Sequence, residues 1–394
     1  MQKSILALTI AAFGIGTSEY VIMGLLPDLA QAFQISIPKA GIIVSAYALS
    51  VTFGSPLVAL ALSRQERRRS LVVLMSIFLI GNVCCALAPN FGMMLAARIL
   101  TALCHGAFFG TGSIVAANLV PKEKRVQAIT MMFSGLTLAN VLGVPAGTAL
   151  GHMFGWRSTF VALIPIGLIA MAGLLLWVPR QEAEAVHLKH ELHTALKPKV
   201  LLVLAWSTLS SVSLFTVFTY IAPILSTVTH VSAHGIEWVL VLFGVGITAG
   251  ILIGGRLGDW RQMATMVGGY VLVAAVLLVM PLTMAHKAAM GVCVLVWGMF
   301  HFGASAPLQA RIVEKARRAP NLASTLNQGA FNLGNALGAS LGGIVLAEGY
   351  GYRMLPLVGA AVAGVVLLLA FLAIRLDTTM ATDPDFAMYE ENFR

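Results

Sequence analysis

Twelve long apolar runs separated by short polar stretches leave this chain very few ways to fold. They fall at about 5–27, 41–63, 71–89, 93–119, 127–152, 158–178, 200–226, 237–257, 264–284, 288–310, 322–347 and 354–374. A helix needs ~20 residues to cross a hydrocarbon core ~30 Å thick, and each run is close to that length. Helices suit such runs because they satisfy their own backbone hydrogen bonds where water is absent. With 58% hydrophobic and only 10% charged residues in 394, no room remains for a large soluble domain. The first run is too long for a signal peptide and lacks a small-residue cleavage site, so it reads as an uncleaved span. The expected fold class is therefore an all-α polytopic membrane protein with twelve transmembrane helices.

The net charge of +9 is a topology signal rather than a nucleic-acid footprint. Numbering the runs in order puts twenty Lys and Arg residues in the loops that share a side with the termini, and only Lys39, Arg157, Lys287 and Arg353 opposite. The positive-inside rule then predicts a multi-pass inner-membrane protein with both termini cytoplasmic. Cys84, Cys85, Cys104 and Cys293 all lie inside runs without CxxC spacing, which favours packing over metal binding or disulfides. The longest polar interruption divides the chain into a six-span half, 1–179, a linker, 180–199, a second six-span half, 200–375, and a loosely ordered tail, 376–394. His187, His190 and His193 fall at helical spacing in the linker, which reads as an amphipathic surface segment sooner than as a metal site.

The halves repeat. A shift of 195 residues aligns Ala128, Thr130, Leu138, Asn140, Leu142, Gly143 and Gly147 with Ala323, Thr325, Leu333, Asn335, Leu337, Gly338 and Gly342, and a shift of 196 puts His105 on His301. Parallel six-span repeats predict a pseudo-two-fold axis along the membrane normal with a binding site between the halves, which is a transporter architecture.

Within this frame Glu19 stands out. It lies inside the first run, whereas every other carboxylate lies in a loop, the tail or at an expected helix end. An acidic side chain there costs ~3 kcal/mol, so it is expected to face a cavity or a partner. The fourth run carries Arg98 and, two turns on, His105 on the same helix face. Glu19 sits ~21 Å up an ascending helix and Arg98 ~8 Å down a descending one, so in a core ~30 Å thick their depths nearly coincide. Small residues recur every fourth position in the fifth run, Gly135, Ala139, Gly143, Gly147 and Gly151, and in the eleventh, Ala330, Gly334, Gly338 and Gly342. Such ridges let a second backbone approach closely. Pro145 predicts a kink beside the first ridge.

Several of these motifs match one family. Ser18-Glu19-Tyr20 with Gly24-Leu25-Leu26-Pro27, His105-Gly106-Ala107-Phe108-Phe109-Gly110, Gly143-Val144-Pro145-Ala146-Gly147 and Gly155-Trp156-Arg157 resemble the major facilitator superfamily, within it the proton-coupled drug and sugar efflux branch. The resemblance covers essentially the whole chain. It implies a role in proton coupling for Glu19 and Arg98, and it likens Gly143-Val144-Pro145-Ala146-Gly147 to the antiporter signature associated with export. The family's loop signature is kept in the second half as Gly255, Leu257, Gly258, Asp259 and Arg261. In the first half Ala59 and Ser63 replace its glycine and aspartate. A conformational role is accordingly expected of Gly143, Pro145, Gly147, Gly255, Asp259 and Arg261, with Ser63 dispensable.

The function these features imply is secondary active transport, as a proton-coupled antiporter exporting a small organic solute, drug-like or a sugar. A proton symporter or a facilitator is the alternative. No G-x-x-x-x-G-K-[ST] occurs, so the chain holds no ATP motor of that kind, and no H-E-x-x-H or nucleophile elbow points to an enzyme. His105, Phe109, Asn140, His301 and Asn335 are the candidate substrate-cavity residues. The expected partners are a small-molecule substrate, protons and the lipid bilayer around a monomer, with no cofactor, no metal and no nucleic acid.

Overall fold

The computed structural model describes residues 2–121, 124–182, 198–315 and 320–381, and among them it contains helices and no strands. Among the described residues, eleven helical segments are long and apolar enough to cross a membrane. The first group comprises α1 (Gln2–Ala32), α2 (Ile37–Leu49) with α3 (Ser55–Ala61), α4 (Arg67–Leu87), α5 (Phe91–Asn118), α6 (Arg125–Leu138) with α7 (Val144–Phe154), and α8 (Arg157–Trp177). The second comprises α9 (Pro198–Phe218), α10 (Ala233–Thr283), α11 (Lys287–Lys315), α12 (Pro320–Ala347) and α13 (Met354–Ala381). The helix expected to stop near Arg375 thus continues to Ala381. The histidines expected on the linker, and the tail beyond Ala381, lie outside the described residues.

The eighth and ninth apolar runs are continuous in one 51-residue helix, α10, broken only by non-helical backbone at Arg261 (φ −143°, ψ 76°). A straight helix of that length would measure ~76 Å, more than twice the hydrocarbon core. Its packing shows that it doubles back. A β-carbon on Gly254 would collide with Gly303 of α11, and one on Gly269, fifteen residues later, would lie 2.7 Å from Ala304, the next residue of α11. Two parts of α10 therefore lie on the same turn of one neighbour, and Arg261 is where the chain reverses.

Three π turns interrupt the spans, and each adjoins a proline. Ser50–Gly54 precedes Pro56, Ala139–Gly143 precedes Pro145, and Ile224–Val228 follows Pro223. Proline has no N–H to donate, so the helix widens by one residue there. Val144 N–H accordingly reaches back to Ala139 O, and Ser55 N–H to Ser50 O. At Pro145 the expected kink takes the form of this π turn.

The small-residue ridges are seams between helices. Gly143, Gly147 and Gly151 face Thr17, Val21 and Leu25 of α1, one turn apart on each side. In the second group Gly334, Gly338 and Gly342 face α9 in the same manner, with the Gly338 β-carbon position only 2.7 Å from Val212 O. Within a membrane, close packing of this kind replaces the hydrophobic drive that lipid cannot supply.

The loops gather on two faces. On one, here the proximal face, Ser4 Oγ donates to Trp177 O (2.6 Å), and Glu66 accepts from the backbone N–H groups of Arg68, Arg69 and Gln181. Those three donors hold the Glu66 carboxyl below its ordinary range, although partial burial, the largest single influence, pushes it up. The carboxylate missing at Ser63 is thus supplied three residues on, where it caps α4 and ties it to the end of α8. On the other, distal face, Phe33 packs on Trp156, Lys39 lies over Phe91, and Arg157 donates to Ala88 O (2.7 Å).

Candidate functional site

Glu19 and Arg98 meet at the centre of this frame. Glu19 is buried in α1, and among the described residues it is the one buried carboxylate. Arg98 of α5 is also buried and reaches across to α1, yet it does not grip the Glu19 carboxylate. Its Nη1 donates to Ser18 O (2.8 Å) and Ser18 Oγ (3.1 Å), and its Nη2 to Glu19 O (3.4 Å). Its Nε has no partner among the described residues. The guanidinium instead rests on the ring of Tyr47, 4.1 Å from the centroid, where the π face supports a desolvated cation.

The carboxylate of Glu19 faces His105. His105 Nδ1 lies 3.7 Å from Glu19 Oε2 and 3.1 Å from Tyr47 Oη. Glu19, Arg98, Tyr47 and His105 therefore form one buried network drawn from three helices. With the arginine bound to backbone carbonyls, the Glu19 carboxylate is left to exchange a proton or meet a charged solute without breaking an ion pair.

A cavity opens beside the network, lined by Glu19, Met23, Val44, Tyr47, Ala48 and Arg98 from the first group and Phe215 and Asn335 from the second. It is narrow, with a cavity volume of about 10 Å³, room for a single water. Sites for drug-sized ligands run to ~300–1,000 Å³, so this one must widen to take such a substrate.

Of the residues singled out in the sequence, Glu19, Arg98 and Asn335 line this cavity. His105 stands behind Tyr47. Phe109 is buried away from the cavity, stacked on Phe133 at 5.2 Å. Asn140 bonds back to Leu136 O, and its own carbonyl packs against Gly244 of the second group. His301 lies buried between Tyr270 and Phe302, its Nδ1 without a partner among the described residues. Gly255, Asp259 and Arg261 lie far along α10 at the proximal side. A β-carbon on Gly255 meets nothing within 4 Å, and Arg261 stacks on exposed Trp260. Sequence reasoning missed Tyr47, the residue that joins arginine, histidine and cavity. It carries no charge and belongs to no spacing pattern, so nothing short of its position could mark it.

Comparison with known proteins agrees with this architecture. The family model described as Major Facilitator Superfamily matches residues 8–325 and 204–387. This chain belongs to the major facilitator superfamily. It is 46% identical over 372 residues to the inner membrane transport protein YdhP of Escherichia coli O157:H7, covering 94% of this chain and 96% of that protein. It is 32% identical to a protein of Pasteurella multocida (strain Pm70) named "Probable sugar efflux transporter", over 92% of this chain and 90% of that one. In fold it matches the crystal structure of a bacterial homologue of the human lysosomal transporter Spinster in an inward-facing, unoccupied conformation. That match has a TM-score of 0.78 at 18% identity and covers 94% of this chain and 96% of the other. As a member of the major facilitator superfamily, the chain is a multi-pass membrane transporter and not an enzyme.

Proposed function

We propose that this transporter is a proton-coupled antiporter that exports a small organic solute, drug-like or a sugar, by alternating access. In this reading α10 supplies two spans, one on each side of Arg261, giving twelve in all. The spans form pseudo-symmetric halves, 1–179 and 200–375, joined by the linker 180–199 and followed by the tail 376–394. The proximal face, rich in arginine and lysine, is cytoplasmic, with both termini on that side of the inner membrane.

One observation carries the reading: the cavity at the junction of the two groups holds the buried Glu19 next to an arginine bound to backbone carbonyls instead of to its carboxylate. Glu19 is the proton carrier, loaded from the distal side and discharged to the proximal side as the halves rock about the cavity. Arg98 biases that exchange, and Asn335, Tyr47 and Phe215 contact the solute. The contacts between the groups support a state closed at the distal face. Ser45 bonds to Ala336 O (3.2 Å) and Ser340 (3.0 Å), and Tyr220 Oη donates to Ala339 O (2.8 Å) while its ring packs near Gly41. Gly143, Pro145 and Gly147 lie on the seam that must slide between states, and Gly255, Asp259 and Arg261 mark the proximal turn that follows it.

The decisive test is a substrate screen in proteoliposomes with an imposed proton gradient. Uphill solute movement opposite to the proton flux, lost in Glu19→Gln, is the expected result. Uphill movement in the same direction as the protons would make the chain a symporter, and purely downhill movement a facilitator.

A further inference from the structure

At the distal face a second group of ionisable side chains joins the two helix groups, and it takes no part in the central network. His152 of α7 lies between two carboxylates. Its Nε2 is 3.5 Å from Asp28 Oδ2 at the end of α1, and its Nδ1 is 3.2 Å from Glu237 Oε1 at the start of α10. Asp28 and His152 belong to the first group and Glu237 to the second. The other oxygen of Glu237 is 3.0 Å from His234 Nδ1, and Trp238 Nε1 donates to His234 Nε2 at 3.1 Å.

The hydrogen-bond inventory fixes the proton count. An indole N–H can only donate, so His234 Nε2 must accept and carries no proton. His234 in this arrangement accepts at Nε2 and gives its Nδ1–H to Glu237. A neutral imidazole has one donor, whereas His152 faces an anionic acceptor at each nitrogen. Both contacts are favourable only when His152 is the imidazolium. Remove that proton, and one carboxylate faces a lone pair while Asp28 and Glu237 are left as like charges across the seam. Among the described residues, no other ion pair involving His152 is found. On α8, which also packs against α7, Arg157 is committed to Ala88 O and to the Trp156 ring at 4.2 Å. The four side chains touch one another instead of enclosing a space, and no group of described His, Cys, Asp and Glu is spaced to hold a metal.

We propose that His152 is a proton-operated latch: protonated, it ties Asp28 of its own half to Glu237 of the other and holds the distal face shut, and deprotonated it lets that face open. The sign is fixed by the charge. Acid on the distal side favours closure and alkali favours opening, as long as the carboxylates stay ionised. The latch is separate from Glu19 and stands whether or not transport consumes protons.

Pulsed electron–electron spin resonance tests it on the full chain in nanodiscs. Spin labels go on exposed Gln31→Cys and Ala233→Cys, one on each side of the seam, with Cys84, Cys85, Cys104 and Cys293 replaced by Ser. Between about pH 5.5 and 8.5, a range bracketing the ~6.5 of a free imidazole, the long-distance population should grow roughly tenfold, an ordinary scale for coupling between sites. His152→Ala should hold that population high at both pH values and His152→Arg should hold it low. Glu237→Gln, which keeps the shape and removes the anion, should flatten the pH response without His152 being touched. A wild-type distribution unchanged over this range would overturn the proposal, as would a pH response that survives unaltered in His152→Ala or Glu237→Gln.

Discussion

The two helix groups carry similar seams around different interiors. The first buries charge: Glu19, Arg98, Tyr47 and His105 in one network. The second buries mainly neutral polarity, apart from Arg311 near the end of α11. Ser207 donates to Asn327 Oδ1 (2.6 Å) and Ser210 bonds Tyr270, both pairs buried, and Asn327 donates to Oε1 of the half-buried Gln309 (2.5 Å). A neutral hydrogen bond inside a membrane protein is worth only ~1 kcal/mol. A lone buried carboxylate costs ~3 kcal/mol before its partners help, so the first interior is the strained one. The groups thus differ in kind, one burying a carboxylate and the other mostly neutral hydrogen-bonding groups.

The largest effect should come from Glu19→Gln, which keeps the shape of the carboxyl and deletes its charge. Gradient-driven transport should fall by about two orders of magnitude, while downhill exchange and folding persist in proteoliposome assays. Asn327→Ala in the second interior should instead weaken apparent affinity by only several-fold. Equal losses of gradient dependence in the two variants would erase the distinction between the halves.

The seams should respond alike where the interiors differ. Gly143→Leu would drive a branched side chain into Thr17, and Gly338→Leu into α9. Both variants should insert yet lose roughly tenfold or more of transport. Wild-type rates from either would show that its ridge can part without consequence. By contrast Gly255→Ala, with nothing within 4 Å of the added carbon, should be silent in the same assay.

Tyr47→Phe sharpens the comparison from inside the charged network. It removes the hydroxyl on His105 and leaves the ring under Arg98. The pH profile of transport should move while its maximum changes by only a few-fold. A small effect, on stability and not on transport, is expected at Glu66. Because its folded carboxyl is held down, its contribution is present above the ~4.3 of a free glutamate and fades as pH falls through the lowered value. Glu66→Gln should therefore differ from wild type in thermal stability near neutral pH and converge with it in acid.

Much of this was legible in the chain itself, for identifiable reasons. A run of ~20 apolar residues has essentially one solution in a bilayer, so the helices could be read directly. The depth of Glu19 and Arg98 followed from helix rise alone. Other features depend on contacts that no periodicity encodes. The continuity of α10 through Arg261 was missed because a charged stretch between apolar runs looks like a loop, although the backbone there stays helical at all but one residue. The alternative carboxylate at Glu66 lies outside the loop pattern, which specifies the position held by Ser63. His152 was passed over because its meaning comes only from Asp28 and Glu237, which lie 124 and 85 residues away along the chain.

The π turn at Ser50–Gly54 has a further consequence, one of phase. By lodging one extra residue it rotates everything beyond it by ~100° about the helix axis. Above the turn, Ser45 addresses α12 while Tyr47 addresses His105; below it, Ser55 addresses the Ala102 and Leu103 carbonyls of α5. A single inserted residue thus keeps the lower stretch turned to α5, whose His105 the upper stretch already meets through Tyr47. Deleting one residue there would leave every side chain in place in the sequence and turn the lower helix away from α5.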